Sequence, residues 1–191
     1  MTYHHGGLPE AILDAAERAV RRGGPEAVSL RALAREVGVT HTAPRHHFGD
    51  KRGVLTALAV QGYAELASRL ASAAAAGFLE VGVAYVAFAL DRPAHFQLLF
   101  RSDLVDPDNP DLQLARSTLS RHLIEASQRF APSSPPHQRL LTDADVSAVG
   151  LAAWSMAHGF STLALAGNLT PAEGEDMLDL ARSTLRHLRS D

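Results

Sequence analysis

Within SLRALAREVGVTHTAPRHHFGDKR, residues 29–52, the groups able to do chemistry are Thr40, His41, Thr42, Arg45 and His46, with Lys51 just beyond. Hydroxyl, imidazole and guanidinium groups on a short polar helix suit the donor and acceptor pattern of base edges in a major groove. Arg45 can grip a phosphate or bind guanine O6 and N7 together. Lys51 is expected at a helix N-terminus, where the dipole and the ammonium act on the same phosphate. The pattern points to binding of double-stranded DNA rather than to catalysis.

Such a helix needs a frame, and the flanking residues supply one. Ser29 is a good N-cap for a helix reaching about Val37. Gly38 accepts the left-handed turn that follows, and Ala34 is small enough to let two helices approach. Leu30, Leu33, Val37 and Val39 form a small core beneath. A second helix is expected over residues 40–47, with Pro44 near its first turn, where a missing amide costs least. This is the spacing of a helix-turn-helix. The same spacing also occurs in helical hairpins with no DNA role, and it is the polar second helix with its cationic exit that favours DNA.

Composition bounds the alternatives. The chain has 191 residues, 46% hydrophobic and 20% charged, with no cysteine. Disulfides, thiolate metal sites and cysteine nucleophiles are thereby excluded. No apolar run approaches the ~20 residues of a membrane span, and MTYHHGGLPE lacks the features of a signal peptide, so a cytoplasmic protein with no membrane partner is expected. Net charge is −3, unevenly spread. Residues 1–54 carry eight Arg/Lys against six Asp/Glu, and residues 55–191 carry ten against fifteen. The small basic excess therefore sits with the reading helix. The histidine pairs His4-His5 and His46-His47 are adjacent in sequence and do not face one site, so no metal and no cofactor is expected.

The remaining periodicity is helical throughout. Leu8, Ala11, Ile12, Ala15, Ala16, Ala19 and Val20 follow i, i+3, i+4, i+7 in a first helix. Asp50 caps a fourth, carrying Val54, Leu55, Leu58 and Leu66. Later helices are expected over residues 78–91, 93–101, 112–130, 143–166 and 171–189, with loops at 103–111 and 131–138. No strand period appears, so the fold is expected to be all-α. The domains are expected at residues 1–52 for reading DNA, 53–76 for a connecting helix and 77–191 for ligand binding and dimerisation.

Residues 8–66 resemble the N-terminal DNA-binding domain of the TetR family of bacterial transcriptional regulators. The likeness lies in the first amphipathic helix, in SLRALAREVGVT, and in the exit formed by His47, Phe48, Asp50 and Lys51. It implies phosphate contacts from Ser29, Arg31, His47 and Lys51, and groove contacts from Thr40, His41, Thr42 and His46. Arg45 departs from the pattern, since the family usually has tyrosine there. A second likeness, carried by Trp154, His158 and Gly159 and by FALDRPAHFQLLF (88–100), is to the TetR subset with a C-terminal Trp-His-Gly domain. The connection from Ala71 to Phe78 is shorter than that subset implies.

The second half should sense and dimerise. Tyr85, Phe88, Phe96, Phe100, Trp154 and Phe160 are core aromatics one by one, but together, with Leu99 and His158, they suggest a cavity for a small, largely apolar effector. His158 also reads as a hydrogen-bonded core histidine. Met177, Leu178, Ala181, Leu185 and Leu188 form an apolar stripe on the last helix, for packing within the chain or, as the resemblance favours, for a homodimer. The resulting expectation is a ligand-responsive repressor of a palindromic operator, and not an enzyme. The alternatives are a small all-α hydrolase using His158 with Ser155 or Ser161, or a helical adaptor without DNA binding.

Overall fold

A computed structural model describes residues 7–130, 136–140 and 144–187. The helices are α1 (Leu8–Gly23), α2 (Leu30–Val37), α3 (Ala43–Phe48), α4 (Lys51–Ala73), α5 (Phe78–Asp91), α6 (Pro93–Leu99), α7 (Pro110–Phe130), α8 (Ala148–Leu165) and α9 (Met177–Leu185). The fold is therefore helical, with one exception. Strands β1 (Pro136–Leu140) and β2 (Ala144–Ser147) pair antiparallel, with Leu140 opposite Ala144 and an irregularity between Pro136 and Gln138. A loop and the start of a helix were expected there. Pro136 can open a strand although it cannot continue a helix. The helix begins instead where Ser147 accepts the Gly150 amide at 3.0 Å.

The described chain divides into two compact units. The first comprises residues up to Gly62 together with Ala94–Gln113, and the second comprises Tyr63–Pro93 with Leu114 onward. Neither is continuous in sequence, because α4 and α7 each contribute to both.

In the first unit, α1 buries Ile12, Ala15, Ala16 and Val20. Leu33 and Ala34 of α2 and Val54, Leu55 and Leu58 of α4 complete the core. Glu36 ties α2 to α1, accepting from Arg18 at 2.9 Å and Arg22 at 3.3 Å. The Arg18 bond is the main reason its carboxyl titrates below the usual carboxylate range. Helix α6 packs on α4 at Gly62, where a Cβ would come within 3.0 Å of the His95 Cβ and 3.1 Å of Leu99. The connection after α6 is fastened to the same helix. Arg52 donates to the Val105 carbonyl at 2.9 Å, and the buried Thr56 hydroxyl accepts the Asp106 amide at 2.9 Å.

In the second unit, α5 packs against both α8 and α9. Arg182 of α9 holds Glu80 of α5 through two bonds, at 3.2 and 2.8 Å. Leu185 is buried against Gly82, within 3.0 Å of where a Cβ would stand. Phe78 stacks on Phe130 with centroids 4.5 Å apart. The short connection from α4 to α5 is a single 3-10 turn, Ala74–Ala76, followed by Gly77. Helix α9 starts at Met177, later than expected. Asp176 caps it, accepting from the Leu178 and Asp179 amides at 2.8 Å each, in a reciprocal capping box.

Helix α8 corrects one expectation. Its 18 residues carry no Asp, Glu, Lys or Arg, and by length and composition it is apolar enough to cross a membrane. Only 22% of it is buried within the chain.

Candidate nucleic-acid interface and cavity

The turn between α2 and α3 has the geometry its residues demand. Gly38 sits at φ 79°, ψ 31°, and a Cβ there would enter open space, so it is the left-handed backbone that requires glycine. Ala34 is 1% exposed, and its carbonyl accepts the Val39 amide at 2.9 Å. Helix α3 is shorter than expected, because residues 41 and 42 are turn and regular helix begins at Ala43. Pro44 is buried beneath it.

All of the expected DNA-contacting residues but Lys51 are exposed in the first unit. Arg31, Thr40, His41, Thr42, Arg45, His46 and His47 are all exposed. Ser29 occupies the N-cap position of α2 without making a side-chain cap bond, so its hydroxyl faces solvent. The Thr40 and Thr42 hydroxyls lie 3.2 Å apart. Lys51 is different. It is half-buried and donates to the Glu26 carbonyl at 3.1 Å, linking the start of α4 to the turn after α1. Asp50 caps α4 as expected, accepting the Gly53 amide at 2.9 Å.

Gly53 was not singled out in the sequence. A Cβ on it would stand 1.9 Å from the Phe48 carbonyl oxygen, so glycine is what lets α4 begin directly behind the reading helix. Its place three residues after the Asp50 cap was the available signal.

The second unit holds a cavity of about 210 Å³. Its walls include Phe78, Tyr85, Leu123, Phe130, Trp154 and Leu185, with Arg186 among them. Tyr85 and Trp154 thus lie where the cavity was expected. Phe88, Phe96, Leu99 and Phe100 do not line it. Phe88 is wholly buried in the second unit, with Arg69 5.7 Å above its ring. Phe96, Leu99 and Phe100 belong to the first unit, where Phe96 and Phe100 meet edge to face. Phe160 is buried and also absent from the wall.

His158 stands behind Tyr85. The Trp154 indole N–H donates to the Tyr85 oxygen at 3.2 Å, and the Tyr85 hydroxyl lies 3.0 Å from His158 Nδ1. An indole can only donate, so Tyr85 has one proton left to give to Nδ1, and His158 then carries its own proton on Nε2. Burial raises the Tyr85 pKa well above that of an ordinary phenol and lowers that of His158. Both groups are neutral in this relay. Ser161 is buried and bonded to the Ala157 carbonyl at 2.8 Å, while Ser155 is exposed, so no serine is bonded to His158 among the described contacts.

The apolar stripe on α9 is largely used inside the chain. Ala181 and Leu185 are buried, Met177 and Leu178 are half-buried, and Leu188 lies outside the described residues, as do His4 and His5. No group of three metal-ligating side chains occurs among the described residues.

The two halves of the chain match two family descriptions. Residues 12–58 match bacterial regulatory proteins of the tetR family, and residues 78–188 match the tetracyclin repressor-like C-terminal domain. The chain belongs to the TetR family. TetR-family proteins are DNA-binding regulators rather than enzymes, and the exposed helix-turn-helix surface is the part of this member that fits that role. A Rhodococcus sp. RHA1 protein of unknown function shares the fold at 27% identity and a TM-score of 0.76, the match covering 98% of this chain and 96% of that one. The TetR family transcriptional regulator PfmR from Thermus thermophilus follows at 19% identity and a TM-score of 0.68, covering 93% and 96%. A bacterial regulatory protein of the tetR family from Rhodococcus RHA1 matches at 17% identity and 0.68, covering 94% of each. No curated, characterised protein matches the sequence significantly.

Proposed function

We propose that this TetR-family protein is a cytoplasmic homodimeric repressor, released from a palindromic operator by a small, largely apolar effector. The exposed α3 surface carries this reading. Thr40, His41, Thr42, Arg45 and His46 offer donors and acceptors to a major groove, while Ser29, Arg31 and His47 flank them for the phosphates. Lys51 gives one of its three donors to the Glu26 carbonyl, which fixes its ammonium at the start of α4 and leaves its charge for a phosphate there.

A dimer spaces two reading helices about one DNA turn apart, roughly 34–36 Å. Helix α8 supports the dimer. It carries no Asp, Glu, Lys or Arg and only 22% of it is buried, and Ala148, Ala152, Ser155 and Leu163 are exposed along it. Small residues let a partner helix approach, and Met177 and Leu178 of α9 extend the same kind of surface. The interface so proposed rests more on α8 than on the α9 stripe.

The cavity beside Tyr85 and Trp154 is the proposed effector site. Helix α5 lines it and passes through Arg92 into α6, which packs on α4 at Gly62. An effector favouring one position of α5 biases the position of α4 only through its difference in affinity for the two states. The Tyr85–His158–Trp154 relay also supports placement in the Trp-His-Gly subset, with His158 acting to hold its helix.

The test is a gel shift with DNA from upstream of the protein's own gene, at low salt. A retarded band is expected, and its absence with dimeric protein overturns the DNA reading. Arg45→Ala is expected to weaken operator binding by about 1–3 kcal/mol and random DNA much less. An equal loss on both makes Arg45 a phosphate contact.

A further inference from the structure

We infer that the cavity of the second unit takes an amphiphile with an anionic head: a short arylalkyl or medium-chain carboxylate whose apolar body fills the cavity and whose carboxylate meets Arg186. The inference rests on the effector reading above and names the chemical class of that effector.

The polar groups of the wall decide the head group. The cavity wall is otherwise apolar, interrupted by Tyr85, Trp154 and Arg186. The single N–H of the indole is already given to Tyr85, and the Tyr85 proton points to His158. Neither therefore has a free donor for a ligand.

Arg186 differs from both. It is exposed at the C-cap of α9, and no hydrogen bond or ion pair engages its guanidinium among the described residues. Its neighbour Arg182 is already committed to Glu80 by two bonds. Arg186 also acts on the Glu80 charge, but more weakly than Arg182 does. Glu80 is thus matched by Arg182, and Arg186 is left as a cation on the wall of an apolar space. A guanidinium in that position binds a carboxylate through charge-assisted hydrogen bonds, and it disfavours an amine.

Size sets the body. A cavity of roughly 150 Å³ lined by aliphatic and aromatic groups holds benzene. At about 210 Å³ this one has room for one ring and a short alkyl chain. The stacked pair Phe78–Phe130 offers a flat apolar wall to such a ring.

The chain contains a single tryptophan, Trp154, and it lies on the wall, so its emission reports occupancy. The full-length protein is titrated with phenylbutyrate, phenylbutyramide and phenylbutylamine at low salt. The carboxylate is expected to bind roughly tenfold more tightly than the amide, the scale of one charge-assisted contact at a part-exposed site. The amine is expected to bind more weakly than either. Arg186→Gln should erase the preference for the carboxylate and leave the amide affinity unchanged, and Arg186→Lys should keep part of the preference. Equal affinity for carboxylate and amide in the native protein, or a preference that survives in R186Q, overturns the head-group assignment while the cavity reading stands. If none of the three probes alters Trp154 emission, the cavity reading falls and this inference falls with it.

Discussion

Gly53→Ala sets helix propensity against tertiary geometry, and the two give opposite signs. Gly53 lies in the first turn of α4, where propensity alone favours alanine by about 1 kcal/mol. The new Cβ would stand 1.9 Å from the Phe48 carbonyl oxygen and 3.0 Å from its carbon. Cβ contacts do not come under 3.0 Å, so the oxygen must retreat by about 1.1 Å. That oxygen also accepts the Asp50 amide at 2.9 Å, and Asp50 in turn accepts the Gly53 amide at 2.9 Å. Stretching these two bonds costs about 1 kcal/mol each, and overpacking of a tight site costs about 1–3 kcal/mol. After the propensity gain, a net loss of about 2–4 kcal/mol is expected, seen as a lower urea midpoint at unchanged slope. Phe48 ends α3, so its retreat also moves the reading helix by more than the ~0.5 Å that a directional contact tolerates. Operator affinity, measured by fluorescence anisotropy on a labelled duplex, should fall about tenfold, the equivalent of one lost base contact. An alanine variant as stable as the native protein, with unchanged operator affinity, refutes this account of the α3–α4 corner.

Four further outcomes are expected. Thr56→Val removes a buried hydroxyl that accepts the Asp106 amide and donates to the Arg52 carbonyl at 2.8 Å; the stranded amide should cost about 1–3 kcal/mol, and urea unfolding with no loss would show that the connection after α6 is not held there. At Gly159 a Cβ meets nothing within 4 Å inside the chain, so Gly159→Ala should stabilise the isolated subunit by up to about 1 kcal/mol while weakening the proposed α8 interface. Sedimentation equilibrium decides this, since an unchanged or tighter dimer places the interface elsewhere. Burial lowers the folded-state pKa of His158 from the usual 6.5, so the unfolded chain binds the proton more readily. Stability from this group is then present above pH 6.5 and lost as pH falls through the lower folded value. The loss should vanish in His158→Gln. Glu65 titrates in a separate window. Burial raises its pKa, but the bonds from Arg69 and Arg92 outweigh that and lower it from 4.5, so its contribution is lost only at more acid pH.

Legibility followed the range of the interaction. Ala34 and Gly38 were readable because a tight turn imposes its demands within a few residues, and φ 79° at Gly38 is that demand met. The face of α1 was readable because helical period and burial coincide from Ile12 to Val20. The cavity was only partly readable. Tyr85 and Trp154 line it, yet Phe88, Phe96, Leu99 and Phe100 do not. An aromatic on a helix face looks the same whichever core it enters, and α6 enters the first unit. The sequence places Leu185 on an apolar stripe open to packing within the chain or in a dimer, because nothing local reveals that Gly82 lies opposite, 103 positions away along the chain.

The sequence by itself determined the helices of the reading unit, the turn between them and the polar character of the helix presented to DNA. These follow from caps, periodicity and one left-handed glycine, all of which act over a single turn of chain. Only the tertiary structure decided that Lys51 reaches the Glu26 carbonyl, that α9 turns Ala181 and Leu185 inward, and that Arg186 stands on the cavity wall. Each of those depends on which distant segment arrives opposite, and that choice is made by the packing of the whole core.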